Sequence, residues 1–406
     1  MSDRVLVIGG KAQHVRKLWE LGLDVVHAQF PDEYVPGPYV DQALLLDYGD
    51  VDTLLPLVRV LHAARPFTAA VSQFELGLLP AARINEALGL TGESVETVEL
   101  LLDKWRMRRH LAASGVSPVA SAVGRSAQDV QDFVKAHGLP IIVKPIRESG
   151  SLAVFRIDDK AGVDAVADRF RALDGQFKER DLTAADSFEE FLLEEFLDGP
   201  EISVETLSFD GHHVIVAVTV KECGGPGGFV EIGHSQPGDC PPEVRQLVVD
   251  FLDAVGLRNG PGHTEVMLTS RGPKIVESHN RVGGDRINEL TEIAYGVDME
   301  QYALTAGLDV LPPLTGSPDA QSGAAIRFLT PAPGRVVEIT GLDEVRADPA
   351  FVDVHLKVGP GDEVPPLVWN EDKVGYVITR GATAAEAIAN GERLAAAIHI
   401  RTEEGQ

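Results

Sequence analysis

The stretch Leu192-Leu193-Glu194-Glu195-Phe196-Leu197-Asp198-Gly199-Pro200-Glu201-Ile202-Ser203-Val204-Glu205 decides how the chain is to be read. An apolar strand ends in acids, the chain turns at Gly199-Pro200, and a second strand resumes with strict alternation. Period two puts Glu201, Ser203 and Glu205 on one face and Ile202 and Val204 on the other. Taken alone this is a half-exposed antiparallel strand with its acids in water. Its neighbours give those acids a purpose.

Upstream, Ile141-Ile142-Val143-Lys144-Pro145 ends a buried apolar strand on a lysine, just before the turn Glu148-Ser149-Gly150-Ser151. A cation beside the free N–H groups of a glycine-bearing turn suits the phosphates of a nucleotide. Downstream, Glu265 lies in the strand-like run His263 to Leu268 and Glu277 ends the run Lys274 to Glu277, with the turn Ser270-Arg271-Gly272-Pro273 between them. A hairpin of this kind presents two carboxylates to one pair of hard cations such as Mg²⁺. The chain then reads Ser278-His279-Asn280-Arg281-Val282-Gly283-Gly284-Asp285-Arg286-Ile287-Asn288-Glu289, a polar turn running into a helix. Paired glycines beside two arginines at a helix start suit oxyanion binding through backbone donors and guanidinium forks.

Around this centre the first hundred residues alternate short apolar runs with helical patterns, which implies a parallel sheet with helices on its faces. Gly9-Gly10 follows the first strand, but neither a G-x-G-x-x-G nor a P-loop spacing is present, so the turn reads as a tight strand-to-helix connection. A helical stretch from Ser94 to Ser114, carrying Lys104 and the basic cluster Arg106, Arg108 and Arg109, looks like a domain border. Beyond Gly199 the pattern is largely period-two strands, to a final helix at Ala384 to Ile398.

The 406 residues suffice for two or three domains, and 44% hydrophobic with 24% charged residues is the composition of a folded, water-soluble chain. A formal net charge of −26 repels polyanions, so nucleic acid is not an expected partner. No apolar run reaches membrane length, so no membrane partner is expected either. Two cysteines, Cys223 and Cys240, and an N-terminus that runs straight into a strand-like segment read as a protein of the reducing cytoplasm. Cys223 has no base paired with it in the sequence and reads as incidental.

The ordered motifs from about Lys104 through Gln301 resemble the ATP-grasp superfamily. The fold this implies is α/β and α+β: an N-terminal parallel α/β domain over residues 1–103, a small ATP-grasp lobe over 104–197, and a large lobe with a strand-rich C-terminal subdomain over 198–406. Position by position, Lys104 and Lys144 resemble the lysines that hold the nucleotide phosphates, and Glu148, Ser149, Gly150 and Ser151 resemble the loop closing over them. Glu194, Glu195, Phe196 and Leu197 resemble the hinge that holds adenine, and Glu201 the acid that takes the ribose hydroxyls. Glu265 and Glu277 resemble the magnesium-binding acids, and Arg281 the arginine that steadies the transferring phosphoryl group. Where the superfamily pattern is Glu-x-Asn-x-Arg, this chain has His279 in the asparagine's place. Imidazole is a poor ligand for Mg²⁺. Either His279 is an outer or substrate group, or local bending brings Asn280 round as the oxygen ligand.

Within the superfamily, Phe229 to Pro237, the Gly283-Gly284-Asp285 turn and the run Ala324 to Pro331 look like the carboxylate-amine ligases that include the L-amino acid (dipeptide) ligases. That resemblance implies ATP with Mg²⁺, or Mn²⁺ in its stead, small carboxylate and amine substrates, and an acylphosphate intermediate. Dimerisation is common among such ligases. Glu231, His234, His279, Gly283 and Gly284 are then candidates to face substrate, Lys221 to border the carboxylate pocket, and Arg286 to hold the substrate carboxylate. Three other readings stay open: a ligase acting on a purine precursor or bicarbonate, a phosphotransferase that stops at a phosphorylated product, and a non-catalytic ATP-binding protein.

Overall fold

A computed structural model describes residues 3–147, 150–166, 168–169, 190–225 and 228–403. Arg4–Ile8 is buried at every position, as befits a strand covered on both sides, and it pairs in parallel with Asp24–Gln29 and Ala69–Val71. With Gln42–Leu45 beyond Asp24–Gln29 these make a four-stranded parallel sheet, faced by the helices Ala12–Glu20, Val51–Ala64 and Glu75–Leu88. The Gly9 turn is the tight connection the sequence predicts. Gly9 has φ +64°, and a Cβ there would stand 2.7 Å from the Tyr48 ring.

The helical stretch from Ser94 to Ser114 is two helices, Val95–Leu102 and Lys104–Ser114, rather than one. Asp103 breaks it: its extended backbone ends the first helix and its carboxylate accepts the Arg106 N–H to cap the second. This kink turns Lys104 and Arg108 inward, where both are buried.

The next sheet is antiparallel, in the order Ser121–Gly124, Phe191–Glu195, Ile141–Pro145, Phe155–Ile157. The helix Ala127–His137, capped by Ser126, packs Val130 and Phe133 beneath it. The sequence pattern from Val163 to Leu173 predicts a further helix, which lies partly outside the described residues.

An eight-stranded sheet forms the rest of the framework. From one edge its order is Gly272–His279, Gly260–Thr269, Glu201–Phe209, His212–Gly224, Val230–Gln236, Gly323–Leu329, Gly375–Gly381 and Phe351–Leu356. One face packs on the helix Pro242–Val255 and the two helices after Ser94, the other on Ile287–Tyr295 and Met299–Leu304. The C-terminal strands therefore extend the same sheet that carries the acids, through the pairing of Val230–Gln236 with Gly323–Leu329. A three-stranded sheet of Glu363–Val364, Gly334–Thr340 and His399–Glu403 closes the C-terminal part. Among the described residues no helix is long and apolar enough to cross a membrane.

Candidate active site

A cavity of about 820 Å³ opens where the three larger sheets meet. Its floor is the hairpin, in which Glu265 stands opposite Glu277 and His263 opposite His279. Registered against the next strand, His263 faces Glu205 and Glu265 faces Ser203. A single polar row thus crosses three strands, because period two keeps every second residue on the cavity face.

Glu205 is fully buried and accepts from the Ser203 hydroxyl (2.6 Å), the Thr219 hydroxyl (3.3 Å) and His263 Nδ1 (2.9 Å). Burial alone would discharge His263, but the Glu205 carboxylate beside it raises its pKa to about 9. His263 is therefore cationic at neutral pH, with Nε2 3.7 Å from Glu265. Sequence reading passed over it, although it stands two residues before Glu265 on the same face.

Glu201, Glu231 and Glu265 converge on Lys221. Its ammonium is 2.8 Å from both Glu201 and Glu231 and bonds Glu265 as well. Burial disfavours that charge, but the three carboxylates outweigh it and hold the lysine protonated, well above its usual range.

Lys104 and Lys144, the lysines expected at the phosphates, stand on the opposite wall. Lys104 Nζ is 3.1 Å from Glu277 Oε2, and Lys144 Nζ is 2.7 Å from Glu194 Oε2. The other oxygen of Glu194 accepts from Arg108, which also donates to the carbonyls of Ile275 (2.7 Å) and Val276 (2.8 Å). Burial works against the Glu194 charge, yet Arg108 and Lys144 bring its pKa down to about 2. Arg108 thereby ties the hinge strand to the strand of Glu277. Its spacing of four from Lys104 was the available signal, since i and i+4 share a helix face.

The segment expected to hold adenine is divided in its contacts. Glu195, Phe196 and Leu197 line the cavity, but the Glu195 carboxylate is taken up by the Ala120 N–H (3.0 Å) and Arg271 (2.7 Å). Phe196 carries the Arg156 guanidinium 4.3 Å from its ring centroid, and Ile142, Val154 and Met267 add an apolar lining. Gly150 and Ser151 also line the cavity; Glu148 and Ser149 lie outside the described residues.

The parallel domain contributes a carboxylate that no motif announced. Glu75 Oε1 is 2.9 Å from His279 Nδ1 and 3.1 Å from Arg281 Nη2, while Gln73 accepts the Val282 N–H (3.1 Å). Against the cost of burial, His279 and Arg281 keep the Glu75 carboxyl far below the usual carboxylate range. His279 Nε2 in turn lies 3.2 Å from Glu277. Gly283 and Gly284 border the cavity, and a Cβ on Gly283 would stand 2.9 Å from both His263 Nδ1 and the Ile287 side chain.

Three expectations are corrected. Asn280 does not come round to the acids: strand alternation persists, so Glu277, His279 and Arg281 share the cavity side. The Asn280 carboxamide points away, into a second, smaller pocket of about 60 Å³, with its Oδ1 buried and unbonded. Arg286 does not line the cavity; at φ +67° it starts the helix Ile287–Tyr295, pairs with Glu289 (2.5 Å) and lies over the Tyr376 ring. His234 is buried behind the cavity wall, with Nε2 3.6 Å from Glu231 and 3.9 Å from Asp285. Glu231, by contrast, faces the cavity.

The donor set suits a hard divalent cation with a nucleotide. Glu265 and Glu277 offer carboxylate oxygens from adjacent strands, and Lys104, Lys144 and Arg281 surround them with positive charge.

Three stretches match known domain families: residues 19–92 the ATP-grasp N-terminal domain, 137–289 the ATP-grasp domain, and 327–403 the L-amino acid ligase C-terminal domain 2. Alanine–anticapsin ligase of Bacillus subtilis (strain 168) is 28% identical over 255 residues, 58% of this chain and 53% of that protein, so the match spans about half the relative's length. An L-arginine-specific L-amino acid ligase of Bacillus subtilis is 26% identical over 78% of this chain and 76% of its own. In fold, the crystal structure of L-amino acid ligase from Bacillus licheniformis superposes over 99% of each chain with a TM-score of 0.82 at 22% identity. The chain contains an ATP-grasp domain preceded by its N-terminal domain, and its C-terminal part matches a domain of the L-amino acid ligases.

Proposed function

We propose that this protein is an ATP-dependent ligase that joins a small carboxylate, an amino acid or close relative, to an amine through an acylphosphate. The carrying observation is that Glu265, Glu277, Lys104, Lys144 and Arg281 surround one cavity in which, among the described residues, no nucleophile is poised on a base. That equipment serves phosphoryl transfer by positioning and charge, which needs no covalent help from the protein.

On this reading residues 104–197 and 198–406 grip ATP between them. Phe196, Leu197 and the Glu194 strand receive adenine, Glu201 the ribose, and Lys104, Lys144 and the loop Glu148 to Ser151 the phosphates. Glu265 and Glu277 would hold Mg²⁺ or Mn²⁺, which would supply neutralising charge to the phosphoryl oxygens. Lys104, 3.1 Å from Glu277, would bring its charge to the phosphates beside that acid.

A substrate carboxylate oxygen attacks the γ-phosphorus and ADP leaves; the amine then attacks the acyl carbon and phosphate leaves. Arg281, steadied by Glu75, stabilises the charge on the transferring group. The surrounding walls exclude water from the acylphosphate. The C-terminal match supports amino acid substrates over a purine precursor or bicarbonate.

The test is ADP release with Mg-ATP against amino acids offered singly and in pairs, with product masses recorded and Glu277→Gln as control. A condensed product appearing with a specific pair, and absent with Glu277→Gln, is expected. ADP formed with one acid and no amine would move the assignment to a phosphotransferase.

A further inference from the structure

The C-terminal part sends one short segment into the cavity wall. Between the strands Glu363–Val364 and Gly375–Gly381, the turn Asn370–Asp372 is fastened by Asp372, whose carboxylate accepts the N–H groups of Val368 (2.9 Å) and Trp369 (3.2 Å). This presents Asn370 and Lys373, both buried, to the catalytic sheet.

Asn370 grips Glu231 twice. Its Oδ1 accepts the Glu231 N–H (3.0 Å) and its Nδ2 donates to Glu231 Oε2 (3.2 Å). The other carboxylate oxygen of Glu231 is the one that meets Lys221, at 2.8 Å. An amide bonded to both the main chain and the side chain of one residue leaves that carboxylate a single orientation. Lys373 acts in parallel on Asp285: Nζ donates to Oδ2 (2.5 Å) and rests 3.7 Å from the Phe328 ring centroid.

Glu231 and Asp285 both line the cavity, yet neither belongs to the hinge, the phosphate lysines or the facing acid pair. They are left for the acceptor. We propose that Asn370 is a positioning residue that fixes Glu231, and through it Lys221, for recognition of the amine substrate. Lys373 neutralises Asp285, so that carboxylate does not attract a cationic side chain and an amine whose side chain is uncharged is favoured. This rests on the ligase reading and gives the C-terminal domain a part in it.

The experiment uses the full chain, Mg-ATP and the substrate pair on which the wild type forms a condensed product. Asn370→Ala should raise the amine KM about tenfold or more, the loss of a hydrogen bond to a charged group, with the ATP KM within about twofold. Asn370→Asp is isosteric and keeps the acceptor for the Glu231 N–H, but sets a second negative charge against Oε2. It should raise the amine KM at least as far, again with the ATP KM within about twofold, an amine-specific loss that a merely structural asparagine would not show. Lys373→Met should shift amine preference about tenfold toward lysine or arginine. Unchanged amine KM in both Asn370 variants, or amine and ATP KM rising together, would overturn the proposal. A wild type that condenses no pair would sink the ligase reading and this inference with it; a working wild type with indifferent variants would sink the inference alone.

Discussion

Glu277 has neighbours on three sides. Lys104, proposed to hold phosphate, is 3.1 Å away, His279 stands 3.2 Å away in the superfamily asparagine's place, and Glu265 faces it across the hairpin. Glu277→Gln keeps the shape and removes the charge, so kcat for ADP release should fall by about 10² or more, with metal-free ATP binding by calorimetry retained. Retention of near-normal turnover would remove Glu277 from metal binding. Gly283→Ala makes a second test at this scale. Its Cβ would press on His263 and Ile287, and because the glycine borders the cavity the variant should lose activity while circular dichroism stays native. The residues that sequence reading found are those with local logic: Glu265, Glu277 and Glu201 follow from period two. Glu75 and Asn370 were not legible, because they meet Arg281 and Glu231 across 206 and 139 residues, and no periodicity reports such distances.

At the scale of elements, Asp103 sets the site by a kink. It ends one helix and caps the next, which sends Arg108 between the hinge strand and the acid strand. Arg108 is almost wholly buried, so Arg108→Ala strands Glu194 as a buried charge with only Lys144 and frees two strand carbonyls. The expected loss is about 3–5 kcal/mol in urea unfolding, the cost of breaking a buried pair from one side. A loss under about 1 kcal/mol would show that the tie between the sheets lies elsewhere. The alternation of strands and helices before residue 90 announced the parallel sheet, and the acids announced the hairpin. The helix break at Asp103 could have been read from an Asp before a Lys-Trp-Arg start, but the apolar run Leu100 to Leu102 conceals it. The turn of Asn280 away from the acids was legible too, as the plain consequence of alternation.

Across the whole molecule the parallel domain is bound by charge to the helix Met299–Leu304, which packs on the eight-stranded sheet. Lys17 stands 2.7 Å from both Asp298 and Glu300, His14 3.4 Å from Glu300, and Gln13 donates to the same carboxylate. Burial raises the Glu300 pKa, but His14 and Lys17 bring it down to about 2. A carboxylate depressed in the folded state stabilises above its unfolded pKa, near 4.3, and loses that contribution as pH falls toward 2. At about 1.4 kcal/mol per unit the contribution is at most about 3 kcal/mol. Glu300→Gln should therefore melt lower than wild type at pH 7, with the gap closing between about pH 5 and pH 2.5. A gap that stays constant over that range would mean the pairing does not hold the domains together. The same docking brings Glu75 to Arg281, so the variant should also lower kcat.

The most direct measurement follows oxygen. With the carboxylate substrate labelled with ¹⁸O and the amine partner that supports turnover, attack on the γ-phosphorus carries one substrate oxygen into the phosphate released on amide formation. The account predicts one ¹⁸O per inorganic phosphate and a condensed product of matching yield. Unlabelled phosphate accompanying the amide would contradict it, because the carboxylate would then never have been phosphorylated.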